Sequence, residues 1–303
     1  MKRVLTIQDI SCLGKCSLTA ALPVLSAMGM EAVILPTAVL STHTGFKGAY
    51  VKELTEIIEP VTRHWKSQGI NFDSISCGYL GSASQLVLVK RIFEEFKEAD
   101  TKIVIDPVMG DHGRLYSGFD MDYVIQMREF CRSADILLPN LTEAAYLLGI
   151  EYNNLPKDRE GYENLVLELS KLNKGIVICK GIRLEKEKIA VLAYNSHTME
   201  MVFCEREYLN SQPSGTGDIF AAVCQGAFAR GTELKEAAEL AMDFVLECMK
   251  KTMADADHRW YGVNFEEALP FLFQKISRSE GVGSTAFQCT ERERQVHIPM
   301  SED

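Results

Sequence analysis

The chain has 303 residues, with 32 Lys and Arg against 42 Asp and Glu and a formal net charge of −10. That balance speaks against a nucleic-acid partner gripped through a basic surface, while leaving room for an anionic substrate held by loops and helix ends. At 47% hydrophobic and 24% charged the composition is that of an ordinary globular protein, and no apolar run reaches the length of a membrane span.

Taken in chain order, Arg3 to Gln8 reads as a first strand, with no signal peptide ahead of it, so a cytoplasmic protein is expected. Leu18, Ala21, Leu22 and Leu25 follow helical spacing up to Gly29, and Ala32 to Leu35 reads as a second strand. Ser74 to Cys77 is a third, followed by a helix with Leu86, Val89, Phe93 and Phe96 on one face. Ile103 to Ile105, Ile136 to Leu138 and Ile176 to Ile178 are short apolar runs suited to buried parallel strands. Ile189 to Tyr194 and Met199 to Cys204 form an expected edge hairpin, and helices are expected over Ile219 to Ala229 and Leu234 to Lys251. This alternation predicts an α/β fold, a mostly parallel central sheet with crossover helices, as one domain over 1–280 with a polar tail over 281–303. Nine cysteines without a CxxC pair, several inside apolar runs, are expected to be reduced core residues.

The chemically distinctive residues follow the predicted strands: Asp9, His43, Gly78-Tyr79, Asp106, Asn140 and Lys180. In an open α/β sheet ligands bind outside the carboxyl ends of the strands, so that edge is the expected active site. In Gly215-Thr216-Gly217-Asp218, two glycines precede a carboxylate and an apolar helix. If Asp218 lies in the first turn, the amides of 215–218 converge on a spot suited to phosphate. A carboxylate beside that spot is in place to take a proton from a hydroxyl. The same four residues also suit a glycine-rich cap on a buried helix.

Asp106 and Asp111 flank a tight turn that could hold Mg²⁺ directly or through its waters, although Asp-Pro is also simply a good turn. Asn140 and Glu143 suit a phosphate or metal site, and equally a capping box. Lys180 could meet phosphate oxygens or stand solvated at a strand end, and Tyr79 could face a flat substrate or pack in the core. His43, in the polar loop Ser41-Thr42-His43-Thr44-Gly45, is better placed for a ligand than a core histidine is; the six histidines show no zinc-site spacing.

Together, Ile7-Gln8, Gly14, the 41–45 loop, Gly78-Tyr79-Leu80-Gly81-Ser82, the 106–111 turn, Pro139-Asn140 with Glu143, and Gly215 to Asp218 resemble, in family order, the pyridoxal/pyridoxamine (vitamin B6) kinases of the ribokinase-like superfamily. The resemblance covers roughly residues 3–250 and implies a three-layer α/β/α fold and ATP-dependent phosphorylation of the 5′-hydroxymethyl group of pyridoxamine, pyridoxal or pyridoxine. It makes Asp218 the general base and Gly215, Thr216 and Gly217 the anion hole. Asp111, Asn140, Lys180 and Thr216 would meet ATP, Asp106 and Glu143 a metal, and Asp9, Thr37, His43 and Tyr79 the B6 ring. Members of that family typically need Mg²⁺, often with a monovalent cation such as K⁺, and are homodimers.

Three positions depart from the pattern. Asp9 stands where B6 kinases usually have serine, which favours a cationic acceptor such as pyridoxamine. Leu138 replaces a common threonine, and Cys179-Lys180-Gly181 is closer to the hydroxymethylpyrimidine kinases of thiamin synthesis, which keeps that substrate as an alternative. A non-catalytic B6-binding protein is a further alternative, against which the intact Asp218 argues.

Overall fold

The computed structural model describes residues 1–210 and 213–279. The predicted tail 281–303, Cys289 and Gln212 at the head of the glycine motif lie outside the described residues.

The chain begins with β1 (Arg3–Leu13), α1 (Ser17–Ala27), β2 (Glu31–Thr42), β3 (Val51–Glu53), α2 (Thr55–Ser67), β4 (Ser74–Cys77) and α3 (Ala83–Phe96). It continues through β5 (Lys102–Ile105), β6 (Gly110–Asp111), β7 (Arg114–Leu115), α4 (Met121–Phe130), β8 (Ile136–Leu137), α5 (Leu141–Leu148) and α6 (Arg159–Asn173). The remainder is β9 (Ile176–Ile182), β10 (Lys188–Asn195), β11 (Glu200–Glu207), α7 (Thr216–Ala229), α8 (Leu234–Ala254) and α9 (Phe265–Ser279).

One sheet carries the order β11-β10-β9-β8-β5-β4-β1-β2-β3, with β6 and β7 as a separate hairpin. The pairings from β2 through β1, β4, β5 and β8 to β9 are parallel, and the expected hairpin of β10 and β11 closes one edge antiparallel. Strand alternation then sorts side chains to two faces. Leu5, Ile7, Ile75, Ile103, Ile105, Leu137 and Val177 pack with α3, α4, α5 and α6. Val4, Val104, Ile136 and Ile178 pack with α1, α7, α8 and α9. These are the three layers the resemblance implies. A strand buried on both faces has no polar side to show, which is why these segments read as plain apolar runs.

Several boundaries differ from expectation. Asp9 does not follow the first strand: β1 runs on to Leu13, and its pairing with β2 slips between Gln8 and Ile10, so Asp9 sits at a bulge within it. Bulges re-aim a side chain and commonly lie beside active sites. The second strand likewise extends to Thr42, and His43 follows it as expected. Lys180 lies inside β9 rather than after it, its N–H bonded to the Pro139 carbonyl at 2.8 Å. Helices α2 and α9 were unread; each carries an internal proline, Pro60 and Pro270, as does α1 at Pro23. The short β3, the β6–β7 hairpin and α4 were also unread, as was α6, although Tyr162, Leu165, Val166, Leu169 and Leu172 carry helical spacing there. The eight cysteines described are all free, seven of them buried and Cys12 exposed. Among the described residues no helix is long and apolar enough to cross a membrane.

Candidate active site

The glycine motif folds as a helix start. Gly215 caps α7 in the left-handed region at φ 88°, and Asp218 is the third residue of the helix. A Cβ on Gly215 would lie 1.9 Å from the Lys15 carbonyl oxygen, so no other residue fits there. At Gly217, by contrast, a Cβ would meet nothing within 4 Å. The first-turn N–H groups therefore border open space at the positive end of a 14-residue helix. Asp218 is only partly covered, yet the surrounding protein pushes its carboxyl up to about 7. Burial is the main cause; Asp9 and Asp106 add to it, while the Ser17 N–H and Lys180 oppose it.

Across from this helix start, the ends of β5 and β9 bring Asp106 and Lys180 into an ion pair of 2.7 Å, their side chains 7% and 12% exposed. Burial raises the Asp106 carboxyl against the pull of Lys180. The Lys180 ammonium stays charged: burial works against it, but Asp106 and Glu143 outweigh that and raise its pKa. Asp106 Oδ1 is buried without a hydrogen-bond partner.

Asn140 and Glu143 form a reciprocal capping box on α5, with bonds of 2.9 and 2.8 Å. Glu143 also accepts the Met109 N–H at 3.4 Å, and Asn140 Nδ2 donates to the Gly110 carbonyl at 2.9 Å. The cap and the site are thus the same residues: the box fastens the 106–111 turn over the end of β5. Burial, then Asp106, lifts the Glu143 carboxyl well above the usual carboxylate range. Asp111 is exposed on the hairpin, its Oδ1 accepting the His112 N–H at 2.8 Å. Tyr116, which sequence reading missed, stands where Glu143, Asp111, Asp218 and Asp106 all act on its phenol; with burial they keep it protonated. The Asp111-His112-Gly113 turn was the available hint of the hairpin that delivers it.

Among the described residues no three His, Cys, Asp or Glu side chains form a ready metal cluster. The donor set nevertheless suits Mg²⁺, a hard cation that keeps several waters: Asp106 offers an unpaired buried carboxylate oxygen, and Glu143 acts on it electrostatically.

On the other side of Asp218, Asp9 is buried and accepts from the Ser11 hydroxyl at 3.1 Å. Burial raises its carboxyl, opposed by Ser17, Ser11 and His43. Ser17 faces both carboxylates from a left-handed backbone at φ 49°, its hydroxyl toward Asp9 and its N–H toward Asp218. The His43 Nδ1 accepts the Gly45 N–H at 3.0 Å. Burial lowers the imidazole pKa, against the Tyr261 main chain and Asp9. Tyr79 is half-buried with its ring 5.6 Å from that of Phe119. Thr37 is fully enclosed behind it, donating to the Tyr79 carbonyl at 3.2 Å while its own carbonyl accepts from Gln85; it shapes the wall rather than facing the opening.

Most of the expected residues thus lie along one edge, with acidic and cationic groups on one side of Asp218 and Asp9, His43 and Tyr79 on the other. A family model described as phosphomethylpyrimidine kinase matches residues 14–261. The pyridoxal kinase of Arabidopsis thaliana is 26% identical over 281 residues, covering 86% of this chain and 85% of its own length. A putative phosphomethylpyrimidine kinase from Bacteroides thetaiotaomicron, in a crystal form with pyridoxal, superposes with a TM-score of 0.85 at 36% identity, covering 89% of this chain and 95% of that one. The pyridoxal kinase from Lactobacillus plantarum gives 0.83 at 31% identity, over 92% and 99%.

Proposed function

This chain belongs to the phosphomethylpyrimidine kinase family of the ribokinase-like superfamily and is a kinase of the pyridoxal kinase type, and on that premise we propose that it transfers the γ-phosphoryl group of ATP to the 5′-hydroxymethyl oxygen of a B6 vitamer. The observation that carries the reading is the pairing of Asp218, its carboxyl near 7, with the open helix start beside it. A carboxylate with that pKa is poised near neutral pH to take a hydroxyl proton.

In this reading the acceptor ring lies in the recess between Asp9, His43 and Tyr79, with its CH₂OH at Asp218. Asp218 takes the hydroxyl proton as the oxygen bonds to phosphorus and the bond to the β-phosphate oxygen breaks, releasing ADP. The N–H groups at 215–217 hold the transferring phosphoryl oxygens, and the Lys180 ammonium faces the charge building on them. Asp106, Glu143 and Asp111 would hold Mg²⁺ with its waters, and when bound that ion neutralises phosphate charge. A carboxylate at Asp9 would suit a pyridinium or ammonium and so favour pyridoxamine.

The family description and the likeness of Cys179-Lys180-Gly181 to the hydroxymethylpyrimidine kinases also favour a second acceptor, hydroxymethylpyrimidine. ADP release with MgATP against pyridoxamine, pyridoxal, pyridoxine and hydroxymethylpyrimidine, with product mass confirmed, separates the two. Turnover of a vitamer, lost by about 10²–10⁴-fold in Asp218→Asn with vitamer affinity kept, is expected. Turnover of the pyrimidine alone overturns the B6 reading.

A further inference from the structure

The connection between α8 and α9 supplies residues that none of the sequence motifs pointed to. Its Trp260 and Tyr261 meet the loop after β2. The Phe46 ring is 4.5 Å from Trp260 and 5.5 Å from Tyr261, and His43 is 5.0 Å from Phe46 and 5.9 Å from Trp260, all measured between ring centroids. Trp260 is 62% exposed, an unusual state for an indole already in contact with three other rings.

His43 ties this cluster to Asp9. Its ring is only 6% exposed and tightly confined: a Cβ on Gly45 would lie 2.6 Å from it, and one on Gly14 3.1 Å. Because Nδ1 accepts the Gly45 N–H, the neutral imidazole carries its proton on Nε2. Nε2 is buried, and the Tyr261 main chain is the group that acts on it. Asp9 and His43 act electrostatically on each other and Asp9 acts on Asp218, so the cluster stands on the Asp9 side of the site.

We propose that Trp260, with Phe46, is a specificity-determining wall of the acceptor pocket, the indole covering one face of a flat heteroaromatic alcohol. An exposed indole beside the loop after β2 is met by a ligand with an aromatic face. The inference rests on the acceptor reading above only in taking the acceptor to be a flat heteroaromatic alcohol, and it holds for a pyridine or a pyrimidine.

The chain has two tryptophans, and Trp65 lies in α2, packed against Phe72 with centroids 5.9 Å apart. Trp65→Phe therefore leaves Trp260 as the one indole reporter. Titrating that variant with pyridoxine and with hydroxymethylpyrimidine should change its emission, saturably, with whichever alcohol is turned over, whereas ATP alone should leave it unchanged. Trp260→Leu should raise the acceptor KM about tenfold, with kcat and the ATP KM within about twofold, and Trp260→Phe should recover most of the loss. Unchanged emission at a saturating, turned-over acceptor would overturn the proposal. So would an emission that tracks protein concentration without acceptor, which would assign the indole to a contact between copies. Turnover of the pyrimidine alone with a responding Trp260 would remove the B6 reading and keep the wall. A responding Trp260 without ADP release from any acceptor would do the same for a non-catalytic binder.

Discussion

Lys180 Nζ and Asp106 Oδ2 stand 2.7 Å apart at the end of β9 and β5, each nearly enclosed and each the other's main counter-charge. Removing one ion from such a pair leaves the other buried without compensation, which destabilises far more than removing both. Lys180→Met should therefore lower unfolding stability by about 3–5 kcal/mol in urea titrations. Lys180→Met with Asp106→Asn should lose much less than the sum of the two single variants. Additive losses would mean that the ions are held by something other than each other.

The pH profile should carry the Asp218 carboxyl. The base works only when ionised, so kcat/KM with a vitamer should rise with pH through a limb near 7. Because Asp9 is one of the charges that push Asp218 up, Asp9→Asn should move this limb to lower pH. A limb that stays in place after the substitution would show that Asp9 does not act on the base.

Stability should follow the same group with the opposite sense. A carboxyl raised from 3.8 to about 7 on folding binds its proton more tightly in the folded chain, so stability falls as pH rises across that window. Asp218→Asn should flatten that slope and make the variant the more stable protein above pH 7. The gain should be about 1–2 kcal/mol, below what the full shift implies because Asp218 keeps an open face. Thermal melts at pH 5 and 8 would read it, and equal Tm differences at both would count against it.

Gly215→Ala should abolish activity while leaving most of the fold intact. The new methyl would have to displace the Lys15 carbonyl, and the residue would also resist φ 88°. A loss of at least about 10² in kcat is expected in the assay, since the amides at 215–217 would be re-aimed. Gly217→Ala, built into open space, should be tolerated for folding and fail chiefly through steric conflict with the phosphoryl group.

How far this molecule could be read in advance depended on where each residue's information lay. Runs such as Ser74–Cys77 and Ile176–Ile178 announce buried parallel strands, because both faces must be apolar. The Gly215 to Asp218 motif places Asp218 in a first helical turn by local chemistry alone. Asn140 and Glu143 looked either like a cap or like a site, and they are a cap that builds the site. The bulge at Asp9 was invisible because a register slip belongs to two strands together. Thr37 looked like a lining residue until the Tyr79 carbonyl was seen to take its hydroxyl. Tyr116 and Trp260 reach the site through turns and connections, and no periodicity marks such residues. Helices α1, α2 and α9 each run through a proline, Pro23, Pro60 and Pro270, where tertiary packing overrides a local breaker.

The loop from Gly14 to Cys16 lies against two parts of the chain that it never meets in sequence. On one side the Lys15 carbonyl excludes any side chain at Gly215, and on the other the Lys15 stem excludes one at Gly262. The Lys15 ammonium is tied down by Asn264 at 3.1 Å and Glu266 at 2.9 Å. For anyone grafting the ring-binding loops of a relative onto this scaffold, these three segments behave as one cassette. Exchanging 258–266 without 14–16 would leave a mismatched wedge beside the Gly215 turn, and the chimera would fail at a segment that was never altered.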